Sequence, residues 1–485
     1  MMSLQKIYSL WFVQAIFISV VAIALGYIIT ETDLAGAAGF IAIPFVLIYI
    51  VLLFRNPRIG LYTVLNLGFF VNGMIRYSTA PFGLSLDVFL LLSLIAALSK
   101  ATRRDYKYLK NPFVYGIAIW TAFTIFEIIN PQSRSFAAWF YSVRGTSLYM
   151  IQLIILTILL LNDPKEIKIF IRIWIAWSLF ACLWGMKQQL LGVNHAEQMW
   201  LDAGAYKTHI LFGRLRVFSF YSDAGQFGAA MGHIALVCLI LSFGPVKLKQ
   251  KLIYWALAGF FFWGMSISGT RGALFVPLSG IMVYLFLTRN FKILSVGVII
   301  VALLFCGLKF TKIGAANYQI QRMRSAMDPN DPSLQVRLNN QKTLKAYLAS
   351  RPIGGGIGSA GSWGQRFSPG TLLADTPTDS WYVRIWAETG IVGLWVHLGV
   401  IFTFIISGTV MIFKMKNDKM LRQMAMALFA GFVGIAFASY GNQVLGQAPT
   451  GVVVFMSITF VWLAYRWDKR ILRPMPILTE NSAVL

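Results

Sequence analysis

Residues 333–361 read SLQVRLNNQKTLKAYLASRPIGGGIGSAG, and after a polar run residues 375–394 read DTPTDSWYVRIWAETGIVGL. Together they form the back half of the one long polar interval in an otherwise apolar chain. The first part is a cationic amphipathic helix from Ser333 to Ser350, stopped at Pro352, because proline lacks the N–H that a continuing helix needs. A glycine cluster follows (Gly354, Gly355, Gly356, Gly358, Gly361), where the backbone either approaches a ligand closely or reverses sharply. The last part carries Asp375, Asp379, Arg384 and Glu388, and a helix beginning near Trp381.

The surroundings of this stretch decide the fold class. Of 485 residues, 58% are hydrophobic and only 12% charged, and the mean hydropathy is +0.68. That leaves too little polar surface to cover a water-soluble globule. Apolar runs long enough to cross a bilayer as helix recur near 8–29, 35–54, 59–75, 84–98, 113–129, 145–161, 169–191, 225–243, 252–268, 271–287, 292–310, 391–413, 421–440 and 449–465. The expectation is an all-α polytopic membrane protein with about 12–14 transmembrane helices and one large extracytoplasmic loop containing short helices. Its parts are helices over 1–310 with an external loop near 192–224, the loop 311–390, three helices over 391–466, and a tail over 467–485.

Lysine and arginine orient it. Basic residues cluster in alternate short loops (Arg55 and Arg58; Lys100 to Lys110; Lys165 and Lys168; Lys247, Lys249 and Lys251; Arg289 and Lys292; Lys414 to Arg422; Arg466 to Arg473), and such loops stay cytoplasmic. Both termini are then inside and the Ser333–Leu394 stretch outside. The first run follows Lys6 without a small-residue cleavage site, so it reads as a retained anchor.

The formal net charge of +24 invites a nucleic-acid reading, but no basic helix interleaved with aromatics faces the cytosol, so no nucleic-acid partner is expected. The cytoplasmic cations suit topogenesis and membrane lipids. On the outer side stand Arg76, Arg134, Arg144, Arg214, Arg216, Arg271, Arg322, Arg324, Arg337, Arg351, Arg366 and Arg384. Arginine's planar fork pairs bidentately with phosphate, which points to a phosphate-bearing or acidic substrate; lipid-headgroup anchoring is the plainer alternative.

Other residues give narrower readings. Cys182, Cys238 and Cys306 lie in apolar runs and behave as small hydrophobes. His195, Glu197 and His209 lack a compact metal-ligand spacing, so no metal and no cofactor are expected. Glu127 is an intramembrane carboxylate, a functional candidate by default, beside Asn130 and Pro131 at an expected helix end. Gly356, Gly358 and Gly361 match a dinucleotide fingerprint, but no strand precedes them as that site requires. Tyr440 to Gln443, with Gly446 and Gln447, either line a site or form an ordinary polar hairpin. Trp363, Trp381, Tyr382 and Trp386 either stack on sugars or pack as a belt.

The order of these features resembles the O-antigen ligase and Wzy polymerase family of bacterial membrane glycosyltransferases. The parallels are Arg337 in its helix, Pro352 to Gly361, the pair Asp379–Ser380, and Glu388-Thr389-Gly390 with Gly393-Leu394. Arg216 in GRLRVFSFYSDAGQFG and Arg271 in SISGTRGA match two further arginines. The resemblance implies a metal-independent transfer of a glycan from an undecaprenyl-type polyprenyl-diphosphate donor to an acceptor hydroxyl. The site would face outward from the bacterial inner membrane, in O-antigen, lipopolysaccharide or exopolysaccharide biosynthesis. Arg216, Arg271 and Arg214 would bind the diphosphate. Arg337, Arg351, Arg384, Glu388, Asp375, Trp381 and Tyr382 would form the acceptor loop.

Asp379 stands where ligases of the family carry a histidine proposed as base, so it is the catalytic candidate; the alternative is that it only caps the helix near Trp381. Asp-Ser in place of His-Asn leans the reading toward polymerising repeat units. Attachment of finished chains to lipid A core or another acceptor is the alternative, and a lipid-glycan flippase is the competing class.

Overall fold

The computed structural model describes residues 41–78, 82–211, 213–311, 318–325, 328 and 330–469, together with Ser19. The run expected near 8–29, the start of that near 35–54, and the tail from residue 470 lie outside the described residues. Two units are distinguished, 1–59 and 60–485. The first contributes the apolar helix α1 (Ile41–Arg55).

The rest is helical. The long helices are α2 (Arg58–Met74), α3 (Gly83–Lys100), α4 (Pro112–Phe126), α5 (Phe136–Leu160), α6 (Pro164–Leu191), α7 (Ala224–Ser242), α8 (Leu248–Ile267), α9 (Phe275–Thr288), α10 (Phe291–Phe310), α11 (Pro332–Leu348), α12 (Trp381–Lys414), α13 (Lys419–Ala438) and α14 (Thr450–Asp468). Among the described residues, nine helices are long and apolar enough to cross a membrane. The runs expected near 59–75, 252–268 and 292–310 are helical as well, as α2, α8 and α10. The chain is an all-α polytopic membrane protein, and the two-residue strands β1 (Ile210–Leu211) and β2 (Arg214–Leu215) form one small hairpin within it.

Three helices fill the centre. Side chains of α7, α13 and α14 are almost all buried, so these helices are hydrophobic all round, as enclosed spans are. Small residues let them approach: a Cβ on Gly280 of α9 would lie 2.2 Å from Leu236 Cδ2, and one on Gly434 of α13 would lie 2.6 Å from Val276 O. Membrane helices gain their contact from such close packing, since lipid is as apolar as the side chains themselves. The outer helices turn apolar side chains outward, as Ile119, Trp395 and Ile406 do, which suits a lipid environment.

The helices have two chemically different ends. The Lys- and Arg-rich segments between α7 and α8, α9 and α10, and α12 and α13, and the end of α14, all fall on one side. There Asp468 accepts from the backbone N–H groups of Lys416, Asn417 and Asp418 at 3.0, 2.9 and 2.7 Å. At the other side lie the starts of α7, α9, α12 and α14 and the polar segments between them.

One local break organises that polar side. The helix expected near Trp381 is the first part of α12, and the Glu388-Thr389-Gly390 triplet lies inside it. At Gly390 the helix is interrupted (φ 65°, ψ −167°), which frees backbone groups. The glycine cluster satisfies them. Gly355 N–H donates to Ala387 O at 3.0 Å, Gly356 N–H to Glu388 O at 2.8 Å, and Val392 N–H to Pro352 O at 3.1 Å. The contact is backbone on backbone: a Cβ on Gly390 would lie 2.1 Å from Pro352 O, and one on Gly354, 2.4 Å from Gly390 N. The two glycine motifs, far apart in sequence, are halves of one joint.

α5 also begins earlier than read. It starts at Phe136, behind the N-cap Ser135, and passes through a π-turn at Arg144–Leu148. Arg144 there donates to Asp87 at 2.5 Å.

Candidate functional site

A cavity of about 650 Å³ opens on the polar side. Three helix starts meet at it: Ala224 and Gly225 of α7, Arg271 and Gly272 leading into α9, and Pro332 and Ser333 of α11 all line it. The first N–H groups of a helix lack intrahelical acceptors and carry partial positive charge. Lys207, Arg216, Arg271, Arg322 and Arg337 line it as well, with three acids, Asp223, Asp331 and Asp379. Cations and helix starts together form a setting for an anion of more than one charge.

Arg216 is placed by the hairpin. Its backbone N–H donates to His209 O at 2.8 Å. Its guanidinium donates to Thr208 O at 2.8 Å, to Thr270 Oγ1 at 2.9 Å and to Ser268 O at 3.3 Å. Thr270 Oγ1 donates on to Ala224 O at 2.8 Å. One side chain therefore stitches the hairpin to the α8–α9 turn and to the start of α7. Gly269 takes φ +58° in that turn, a conformation open to glycine.

His209 fixes the same corner from the other face. Its Nδ1 lies 3.0 Å from Ala205 O, and its Nε2 accepts from Ala224 N–H at 3.2 Å. This pairing requires the neutral ring, with its proton on Nδ1. Burial, with the nearby Arg216 and Arg76 charges, lowers its pKa to about 4, against the opposing pull of Ala205 O and Asp223.

Arg271 donates through Nη1 to Asp331 Oδ2 at 2.5 Å and to Ser325 Oγ at 3.2 Å. Arg337 donates through Nε to Asp379 Oδ2 at 3.1 Å. Capping of α12 falls to Ser380, whose Oγ accepts from Val383 N–H at 3.4 Å. Asp379 is thus held at the cavity by Arg337, with its cap role taken by its neighbour. The same four residues also line a smaller pocket of about 190 Å³, together with Phe275, Leu334, Leu338, Asn340, Gln341 and Tyr440.

Four of the residues that the family resemblance assigned to the site, Arg216, Arg271, Arg337 and Asp379, therefore meet at one cavity, which Arg322 also lines. The other residues of that assignment lie elsewhere. Arg214 sits in β2, outside the cavity lining. Arg384 donates to Glu388 Oε1 at 3.1 Å and to Ser142 Oγ at 2.7 Å, clamping α12 to α5. Arg351 donates to Tyr347 O at 2.6 Å and stacks 4.0 Å over that residue's ring. Trp381 donates to His397 Nε2 at 3.0 Å, and Tyr382 to Ala436 O at 2.7 Å; both side chains pack into the bundle. Asp375 is the exposed last residue of a short helix, Leu372–Asp375. Glu127 accepts from Asn130 Nδ2 at 2.7 Å, and the same amide donates to Ile353 O at 3.0 Å, tying α4 to the glycine joint.

Three contributors to the cavity escaped the sequence reading. Asp331 was detectable only as the N-cap in Asp-Pro-Ser. Asp223 caps α7, accepting from Gln226 N–H at 2.9 Å. His209 had been weighed only as a metal ligand. The segment after α13 does line the cavity, through Gly441, Asn442, Gln443, Val444 and Gln447. Asn442 reaches so close to the α9 start that a Cβ on Gly272 would lie 2.5 Å from its Nδ2.

With this geometry in view, comparison with known families is specific. Residues 256–398 match the family model Wzy_C, O-Antigen ligase. The matched stretch runs from within α8 to within α12 and carries Arg271, Asp331, Arg337, Asp379 and the glycine joint; Arg216 lies before it. No curated protein matches the chain. The match agrees with the family resemblance carried by the sequence motifs. It associates this region with surface-polysaccharide enzymes of the ligase and polymerase type, which work on a lipid-linked glycan and an acceptor.

Proposed function

We propose, on the premise that residues 256–398 form a domain of the O-antigen ligase family, that this protein transfers a glycan from a polyprenyl-diphosphate donor to an acceptor hydroxyl. The observation that carries the reading is the convergence of Arg216, Arg271, Arg322 and Arg337 with three helix starts and Asp379 on one cavity. Such a reaction needs a base near the attacking hydroxyl and positive charge where the diphosphate departs.

In this mechanism Arg216, Arg271 and the positive ends of α7 and α11 face the diphosphate. The acceptor oxygen attacks the anomeric carbon while the bond from that carbon to the diphosphate oxygen breaks. The electron pair leaves with the diphosphate, whose growing charge the arginines stabilise, and the hydroxyl proton passes to Asp379. Arg337 aims that carboxylate. Arginines serve here where other glycosyltransferases use a metal. Arg351, Arg384, Glu388, Trp381 and Tyr382 hold the elements around the site in position.

The orientation that keeps basic loops cytoplasmic places the cavity on the outer face of the bacterial inner membrane, with both termini inside. The region 311–390, less the start of α12, serves as the catalytic loop. Polymerisation of repeat units is the favoured reaction, because Asp379–Ser380 stands where the ligases carry His-Asn. Ligation to lipid A core is the second reading, supported by the ligase description of the matched family.

Mass spectrometry of lipid-linked glycans in cells lacking the protein tests this. Single repeat units accumulating on the polyprenyl diphosphate, with long chains absent, mean polymerase. Long chains still on that lipid mean ligase. An unchanged lipid pool overturns both.

A further inference from the structure

Asp331 does two things with its two oxygens. Oδ1 accepts from Leu334 N–H at 3.1 Å and caps α11, while Oδ2 accepts from Arg271 Nη1 at 2.5 Å. The Arg271–Asp331 pair is sheltered, with side chains 17% and 14% exposed, whereas Arg337 and Asp379 are 37% and 46% exposed. Water therefore weakens the second pair much more than the first. Burial opposes ionisation of Asp331, but the hydrogen bonds from Arg271 and Leu334 outweigh it and hold the carboxyl below the usual range. Arg271 Nη1 is thus already covered by the Asp331 carboxylate and by Ser325, whose Oγ and O lie 3.2 and 3.4 Å away. Asp331 lines the cavity beside Arg271, so a phosphate oxygen that pairs with Nη1 competes with that carboxylate.

We propose that Asp331 is an internal competitor for that edge, displaced by the diphosphate when it binds; this rests on the diphosphate reading above. A single carboxylate offers one charge to Arg271, and a diphosphate offers more, so the exchange runs toward the diphosphate. A singly charged anion gains little by it. The competitor thus acts as a filter, favouring polyanions over the weaker anions around them. Exchange also loosens the cap of α11, the helix that carries Arg337. Binding at Arg271 is in this way coupled to the residue that aims Asp379.

The test separates charge from capping. Asn and Ser cap helices about as well as Asp, so Asp331→Asn and Asp331→Ser keep α11 capped while removing the competing charge. The full-length protein in lipid nanodiscs is titrated with inorganic pyrophosphate by calorimetry, beside Arg271→Ala. Both Asp331 variants should bind pyrophosphate about tenfold more tightly than the unaltered protein, as expected if the competitor costs about 1.4 kcal/mol. Affinity unchanged in both variants would overturn the competitor role. Weaker binding would overturn it too, by making Asp331 a support that holds Arg271 in place. If the unaltered protein and both Asp331 variants bind no better than Arg271→Ala, the diphosphate reading itself falls.

Discussion

Arg337 Nε lies 3.1 Å from Asp379 Oδ2 across 42 residues of sequence, joining α11 to the residue just before the α12 cap. Both side chains are partly open to the cavity, so the contact is too exposed to be a major source of stability. In the proposed mechanism its use is to aim a carboxylate. Asp379→Ala should therefore leave the protein level and melting temperature nearly unchanged while glycan product falls by about 10²-fold or more, the usual scale for losing a general base. A gel of surface polysaccharide with an immunoblot of the protein reads both. Full-length product at normal protein level would remove Asp379 from the mechanism.

Arg216 and Arg271 differ in what surrounds them, and their variants should differ too. The Arg216 guanidinium ties Thr208, Ser268 and Thr270 together, so Arg216→Ala should lose both activity and several degrees of thermal stability. Arg271 packs against one carboxylate and one serine at the rim. Arg271→Lys should keep the fold and lose about 10²-fold in turnover, because an ammonium cannot reproduce the fork. Equal thermal losses in the two variants would contradict this division.

The membrane helices were legible because burial in lipid imposes long apolar runs, and the cavity's arginines were legible because charge is rare in such a chain. What escaped was set by contacts distant in sequence. Nothing in PIGGGIG or in AETGIVG announces that one supplies hydrogen bonds to the other, so the glycines read equally as a ligand cradle. Trp381 and Tyr382 read equally as sugar platforms or as packing, and their polar atoms find His397 and Ala436 inside the bundle. Asp331 drew no reading at all, because the arginine that its second oxygen meets is 60 positions away.

The glycine joint makes a stability claim. Gly390 has φ +65°, and a Cβ there would lie 2.1 Å from Pro352 O. Gly390→Ala should combine strained backbone, about 1–3 kcal/mol, with separation of the 352–361 segment from α12. Reduced protein in the membrane and a lower melting temperature in detergent are expected. Gly370→Ala is the control, since Gly370 also has positive φ (+73°) but nothing within 4 Å of an added Cβ. It should cost less, and equal costs would mean that strain alone, and not the joint, governs Gly390.

His209 gives the cavity a pH dependence whose sign is fixed. Its folded pKa of about 4, pushed down mainly by burial, lies below the ordinary 6.5. Between those values the unfolded chain binds a proton that the folded chain refuses, so stability rises with pH across the window. The neutral ring's contribution is complete above about pH 6.5 and is lost progressively as pH falls toward 4. The ceiling is about 3 kcal/mol, from 1.36 kcal/mol per pKa unit. Protonation would also turn Nε2 into a donor facing the Ala224 N–H it now accepts from, so the α7 start and Arg216 should be disturbed together. His209→Gln removes the titration. Melting temperature measured from pH 7.5 to 4.5 should fall more steeply for the unaltered protein than for His209→Gln, and pyrophosphate binding should follow the same difference. Parallel curves would show that His209 does not titrate in this window and that the corner it holds is insensitive to acid.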